Sequence, residues 1–252
     1  MATTPATAGT EPKPGRVLLA PLWHTIVLVL FMLGYAYYGR GSVAKIEGRH
    51  LASKVPLYLF MIAFELALVA YVWFLGVKPS GGSFRAVIGG KWSGARDVFR
   101  DIGIAFLFWI VVIVALLSLG LVLGKNSDGV KAAVALSPQS VPEMILWVLL
   151  AVSAGFCEEF VFRGYLQKQL LGITGSEVAA VALQALVFGT AHSYQGIKAM
   201  VSITVYGALF GILAVYRRSL RPGMLQHAMQ DTTAGLMFGL LKRLGKVPAL
   251  LF

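Results

Sequence analysis

Gly155-Phe156-Cys157-Glu158-Glu159-Phe160-Val161-Phe162-Arg163-Gly164-Tyr165-Leu166 sets two adjacent carboxylates and an arginine inside a long apolar run. Charge in hydrocarbon costs about 2.5 kcal/mol or more per group on insertion scales, so such residues are rarely incidental. If the segment is helical, Glu159 and Arg163 stand at i,i+4 on one face and can pair. Glu158 is rotated by about 100° from Glu159 and points elsewhere. One carboxylate is thereby tied to the arginine and the other is left free. A free carboxylate in a partly dry site suits a general base. The alternative for this stretch alone is a buried ion pair with a spare acid at the water interface.

The surrounding composition fixes the solvent. The chain has 252 residues, of which 58% are hydrophobic and 13% charged. Soluble domains carry about 25% charged residues. The expectation is an all-α, polytopic membrane helix bundle. Val17 to Gly39 and Ile102 to Gly124 contain no Asp, Glu, Lys or Arg, and each exceeds the ~20 residues that cross a bilayer as a helix. The net charge of +11 is spread through connecting segments, which suits lipid headgroups. No basic run with interleaved aromatics argues for nucleic acid. The single cysteine, Cys157, allows no intramolecular disulfide and no cysteine-rich metal site.

In chain order, residues 1–15 read as a disordered tail and 16–139 as N-terminal transmembrane helices with a basic amphipathic loop. Residues 140–244 read as a catalytic helical region and 245–252 as a short tail. The first span covers about Val17 to Tyr38 and ends in an aromatic belt; His24 near its start reads as a polar interface residue. A basic segment, Gly39 to Lys54, follows. The second span, about Val55 to Val77, holds one acid, Glu65, which reads as a structural partner for a polar group on another helix. Lys78 to Asp101 interleaves cations with apolar residues, as a helix lying on headgroups would, although its glycines weaken that reading. After the third span comes a polar loop at Asn126 to Gly129. Ser140-Val141-Pro142-Glu143 is a helix start, with a Ser N-cap, an early Pro and Glu at N3. The fourth helix runs from there to about Leu171. Three more follow: Ser176 to about His192, Gly196 to Tyr216 and Pro222 to about Leu240. Gly207 and Gly211 in the sixth suit close packing. The total is about seven spans, or eight if the segment near Trp92 dips into the membrane. Cations divide almost evenly between the two sides, leaning slightly to a cytoplasmic N-terminus.

Unusual polar residues concentrate on three of these helices. Glu158, Glu159 and Arg163 lie on the fourth. Gln184, Phe188 and His192 share a face of the fifth, and His227 and Asp231 share a face of the seventh. A lone intramembrane histidine is more often a packing residue than a catalyst. Two histidines and several acids within so short an apolar region are each other's natural partners. Two chemistries suit them. Glu158 and His192 can deprotonate a water that attacks a peptide carbonyl, with His227 and its neighbour on the oxyanion side. Alternatively, two histidines and an acid bind a divalent metal such as zinc. The sequence has no H-E-x-x-H and no G-x-S-x-G. A proton-coupled transporter relaying through Glu65, Glu158 and Glu159 would be supported by paired broken helices, and none is evident.

Glu158-Glu159-x-x-x-Arg163, Phe188-x-x-x-His192 and His227-x-x-x-Asp231, in that order, resemble the CAAX-processing and bacteriocin-processing family of intramembrane proteases. The resemblance covers about Pro142 to Leu241. It implies an all-α membrane endopeptidase whose substrate is a membrane-anchored or prenylated peptide or protein, in a multi-pass chain of the bacterial cytoplasmic membrane. Eukaryotic relatives remove the last three residues of prenylated proteins. Bacterial relatives act in bacteriocin maturation and immunity or as scaffolds, so a non-proteolytic role is the alternative. By position, Glu158 is the water-activating carboxylate with His192 as its partner. His227 and Asp231 lie on the oxyanion side, and Glu159 and Arg163 support the site. Both metal-dependent and metal-free mechanisms have been described for the family. The favoured expectation is that no cofactor is required, with zinc on Glu158, His192, His227 and Asp231 as the alternative. Asp231 adds a further point. The family's last motif ends in Asn or Asp, and ionised Asp cannot donate to an oxyanion. It can instead orient His227, or ligate a metal.

Overall fold

The computed structural model describes residues 18–39 and 53–246, which are helical with no strand among them. The expected N-terminal tail, most of the basic segment after the first span and most of the C-terminal tail lie outside the described residues. The helices are α1 (Leu22–Gly39), α2 (Val55–Val77), α3 (Phe84–Ile88), α4 (Ala95–Leu123), α5 (Ser127–Leu136), α6 (Val141–Thr174), α7 (Glu177–Ala191), α8 (Ile197–Arg217) and α9 (Arg221–Arg243). Among the described residues, α1, α2, α4, α6 and α8 are long and apolar enough to cross a bilayer. This is a multi-pass membrane bundle. The two other expected spans differ in kind: α7 has only 15 residues, and α9 has 23 but carries many polar ones.

Burial separates lipid-facing helices from the central one. In its most apolar stretch α4 is only 6% buried, whereas α6 is half buried. Leu117, Leu121 and Val122 of α4 are exposed, which only hydrocarbon tolerates in such density. The helix α6 packs between α2 and α9, while α7 packs against α8, α1 and the end of α6. The sequence places α6 as expected. The Ser140 side chain accepts from the Glu143 N–H at 3.4 Å, and Pro142 occupies the first turn. The Glu143 carboxylate accepts from the backbone N–H of Gln139 (2.7 Å) and of Lys54 (3.0 Å). This ties the start of α2 to the start of α6.

Gly155 sets the closeness of α6 and α9. A Cβ there would lie 2.7 Å from the Met224 carbonyl oxygen and 2.8 Å from the Ala228 nitrogen. Without it the backbones approach far enough for side chains three and four residues on to meet α9.

His24 packs inside the bundle. It is fully buried and stacks on Tyr71 with ring centroids 4.2 Å apart. Both α2 and α6 contain a π-helical stretch, over Tyr71–Val77 and Glu159–Leu166, and His24 joins them. The Tyr71 carbonyl can only accept, so His24 Nε2–H donates to it (3.3 Å) and Nδ1 accepts from the Tyr165 hydroxyl (2.7 Å). Thr25 then donates to Tyr165 (2.8 Å) and accepts from Gln169 (2.7 Å). A buried polar chain thus holds α1 against α2 and α6.

Two other expectations change. Before α4 begins, the basic segment Lys78 to Asp101 contains only the short α3. Positive φ at Gly89 and Gly90 then turns the chain, and it docks on the α8–α9 turn, with Leu220 N–H donating to Ile88 oxygen at 2.8 Å. The helix α4 begins at Ala95, before the expected Ile102, because the buried Asp101 has partners in Trp92 (2.8 Å) and Arg217 (3.1 Å). The polar loop after it continues into α5, whose start is capped by Asn126 accepting from Gly129 N–H at 3.0 Å.

Gly155→Val is expected to destabilise the fold by about 1–3 kcal/mol, the usual cost of overpacking. Gly34→Val, where an added Cβ meets nothing within 4 Å, is the control. Thermal unfolding in detergent measures both, and a Gly155→Val transition matching wild type would contradict the close approach.

Candidate active site

The arginine of the opening stretch is fully buried. Arg163 Nη1 donates to Glu159 Oε1 at 3.0 Å, with both side chains essentially without solvent contact. Arg163 Nη2 donates to the Gly207 carbonyl at 3.2 Å, and Gln184 donates to the same oxygen at 3.0 Å. Gln167 donates to the Gly211 carbonyl at 3.1 Å. The glycine pair of α8 thus presents backbone acceptors to α6 and α7. The guanidinium also lies over the ring faces of Phe188 (4.3 Å) and Phe210 (5.2 Å), a favourable cation–π arrangement.

Glu159 carries a second partner. His227 Nδ1 lies 3.1 Å from Glu159 Oε1. A carboxylate already accepting from arginine accepts here too, so Nδ1–H donates and Nε2 is left for the site. His192 is fixed in the same way: its Nδ1 lies 2.9 Å from the Phe188 carbonyl, which can only accept, so its Nε2 is also free. Phe188 therefore serves His192 through its backbone and Arg163 through its ring.

Glu158 occupies the place between the two free nitrogens. Its Oε1 is 3.9 Å from His192 Nε2, and its Oε2 is 3.6 Å from His227 Nε2. Both separations exceed a direct hydrogen bond and leave room for a shared third group. Unlike the sealed Glu159, the Glu158 side chain is 20% exposed, as the 100° rotation predicts. Asp231 Oδ2 lies 3.6 Å from His227 Nε2, and the Asp231 carbonyl accepts from the Trp147 indole at 2.9 Å. The structure therefore brings all six sequence-expected residues together.

Glu158, His192, His227 and Asp231 line a cavity of about 300 Å³. Glu65 lines it too. The polar partner expected for Glu65 on another helix is Ser153 of α6, but it leaves Oε2 buried with no hydrogen-bond partner. An acid inside an apolar helix was the available signal for this residue. Its neighbourhood depends on how α2 packs on α6, which no local motif records.

Glu, two His and Asp are donors of the kind zinc takes. As placed, however, Glu158 meets the two imidazoles with different oxygens. Among the described residues, no group of three or more His, Cys, Asp or Glu side chains stands in metal-binding geometry.

Residues 140–233 match the family model described as type II CAAX prenyl endopeptidase Rce1-like. The resemblance read from the three motifs is thus borne out, and the matched stretch contains all six residues. No curated protein and no solved structure matches the chain. The match supports a CAAX-type membrane protease acting on a protein or peptide.

Arg163→Met is expected to cost about 3–5 kcal/mol, because it strands a buried carboxylate. The double variant Glu159→Gln with Arg163→Met should recover part of that loss. Unfolding curves of the three proteins give the comparison, and a silent single variant would contradict the buried pair.

Proposed function

We propose that this chain is an intramembrane endopeptidase that hydrolyses a peptide bond of a membrane-anchored or lipid-modified substrate, without a metal. The observation that carries this reading is the Glu158 carboxylate facing Nε2 of both His192 and His227, each imidazole fixed through its other nitrogen.

A water held by Glu158 and His192 Nε2 loses a proton to Glu158 as its oxygen attacks the scissile carbonyl carbon. The carbonyl oxygen becomes an oxyanion. With Nδ1–H committed to Glu159, His227 donates to that oxygen only as the imidazolium, and the carboxylates of Glu159 and Asp231 beside it supply the counter-charge. A fixed donor in a site with little water is worth more than the same donor in solution. Collapse of the tetrahedral intermediate breaks the C–N bond, and Glu158 returns its proton to the leaving amine. Asp231 orients His227. The donor geometry supports a metal-free reaction, since Glu158 divides its two oxygens between the imidazoles.

The lipid-modified substrate class has separate support. A second cavity of about 90 Å³ adjoins Glu158 and is lined mainly by apolar residues, among them Met32, Phe60, Phe64 and Leu68. Apolar walls beside a water-activating acid suit a peptide carrying a hydrocarbon chain.

Purified protein and an S-prenylated, membrane-anchored peptide test this reading. Glu158→Gln should reduce cleavage by roughly 10²–10⁴, the usual worth of a positioned general base. A chelator should leave wild-type cleavage unchanged. Loss with chelator and recovery with zinc would move the reaction to metal chemistry, and full activity in Glu158→Gln would remove the assignment. Asp231→Asn should retain cleavage, because the amide keeps the same shape beside His227; complete loss would argue against an orienting role.

A further inference from the structure

We propose that Glu65 is a substrate-contacting residue, whose carboxyl accepts a backbone N–H of the bound peptide from the α2 side of the site. The proposal rests on the protease reading above and adds a residue that lies outside its three motifs.

Three observations support it. Glu65 is more than nine-tenths buried, and its Oε2 has no partner. Its carboxyl is met by the Ser153 hydroxyl of α6, which leaves the second oxygen unused. Finally, Glu65 belongs to the wall common to the two cavities, together with Met61, Glu158, His192 and Tyr194. It is therefore beside the water-activating acid, where the apolar cavity and the polar one meet.

The chemistry of the bound peptide calls for such a group. A peptide leaving water must find partners for its N–H groups, because an unpaired buried amide is costly. Sheet-based proteases offer a strand edge, but α-helical walls have already spent their backbone acceptors on their own turns. Only side chains remain. Gln230 accepts from the Trp109 indole. Asp231 faces His227, and Glu158 is committed to the attacking water. On the α2 side of the cavity, Glu65 Oε2 is a buried acceptor without a partner. An unpaired carboxyl oxygen here weakens the empty fold, and the substrate N–H would supply the missing partner.

The test uses the full chain in detergent or lipid with Glu158→Gln as the parent, so that binding is read without turnover. The probe is a fluorescent S-prenylated peptide. Glu65→Leu, which removes the acceptor, should raise its Kd by about tenfold, the cost of leaving a buried peptide N–H without a partner. Glu65→Gln, which keeps a carbonyl acceptor, should stay within about threefold. In the Glu158-intact protein, the Glu65→Leu defect should appear in KM more than in kcat. Thermal unfolding supplies an arm independent of any substrate: Glu65→Leu should unfold at the same or a higher temperature than its parent. A lower Tm would make Glu65 a structural partner and overturn the proposal, as would an unchanged Kd for Glu65→Leu when the parent binds. If the parent itself fails to bind the peptide, the substrate class proposed above is wrong, and the Tm comparison still decides whether Glu65 is held for the fold.

Discussion

Taking Glu159 and Arg163 out of water together is the constraint on which this bundle depends. Two ions in a nearly dry interior are tolerable only when each is surrounded by partners. The partners come from four helices. Glu159 and Arg163 lie on α6, the Phe188 ring on α7, the Gly207 carbonyl on α8 and the His227 imidazole on α9. Sliding any one of these helices by a residue would strand a charge or a dipole. The pair therefore acts less as a source of net stability than as a lock on register. The tautomer of His227 follows from it, and with that the direction of the free nitrogen.

Much of this arrangement was legible in the sequence because it is local to a helix. The divergence of Glu158 from Glu159, the i,i+4 pairing to Arg163 and the shared face of Phe188 and His192 need only the helical period. The start of α6 was legible for the same reason, since its cap and proline act within one turn. The role of Phe188 was only half legible. Its spacing from His192 shows that they are neighbours, but not that its carbonyl fixes the imidazole while its ring covers the guanidinium.

What escaped the sequence depends on long-range packing or on irregular helix. His24 looked like an interface residue because it sits near the start of an apolar span. In fact it fills a space opposite Gly76, where an added Cβ would come within 2.7 Å of its ring, and it uses a carbonyl in the π-helical stretch of α2. Nothing in the residue string marks that stretch. The helix α5 was missed because it is short and follows a polar turn. The expected span α9 draws its polarity from being internal: Gln226 and His227 are buried against other helices, so hydropathy understates how deeply it is packed, whereas α7 is apolar and falls short only in length.

The wall of the smaller cavity has an evolutionary consequence. Met32 and Tyr35 come from α1, and Phe60, Met61, Phe64, Glu65 and Leu68 come from α2, whereas the family match begins only at residue 140. The reactive set is therefore encoded in the second half of the gene, and one side of the surface beside it in the first. Substitutions in the first half can reshape that surface without disturbing the charges that hold the second half in register. Selection could retune what such a molecule accepts while leaving its chemistry intact, and the N-terminal helices of its homologues would then diverge fastest where they face this cavity.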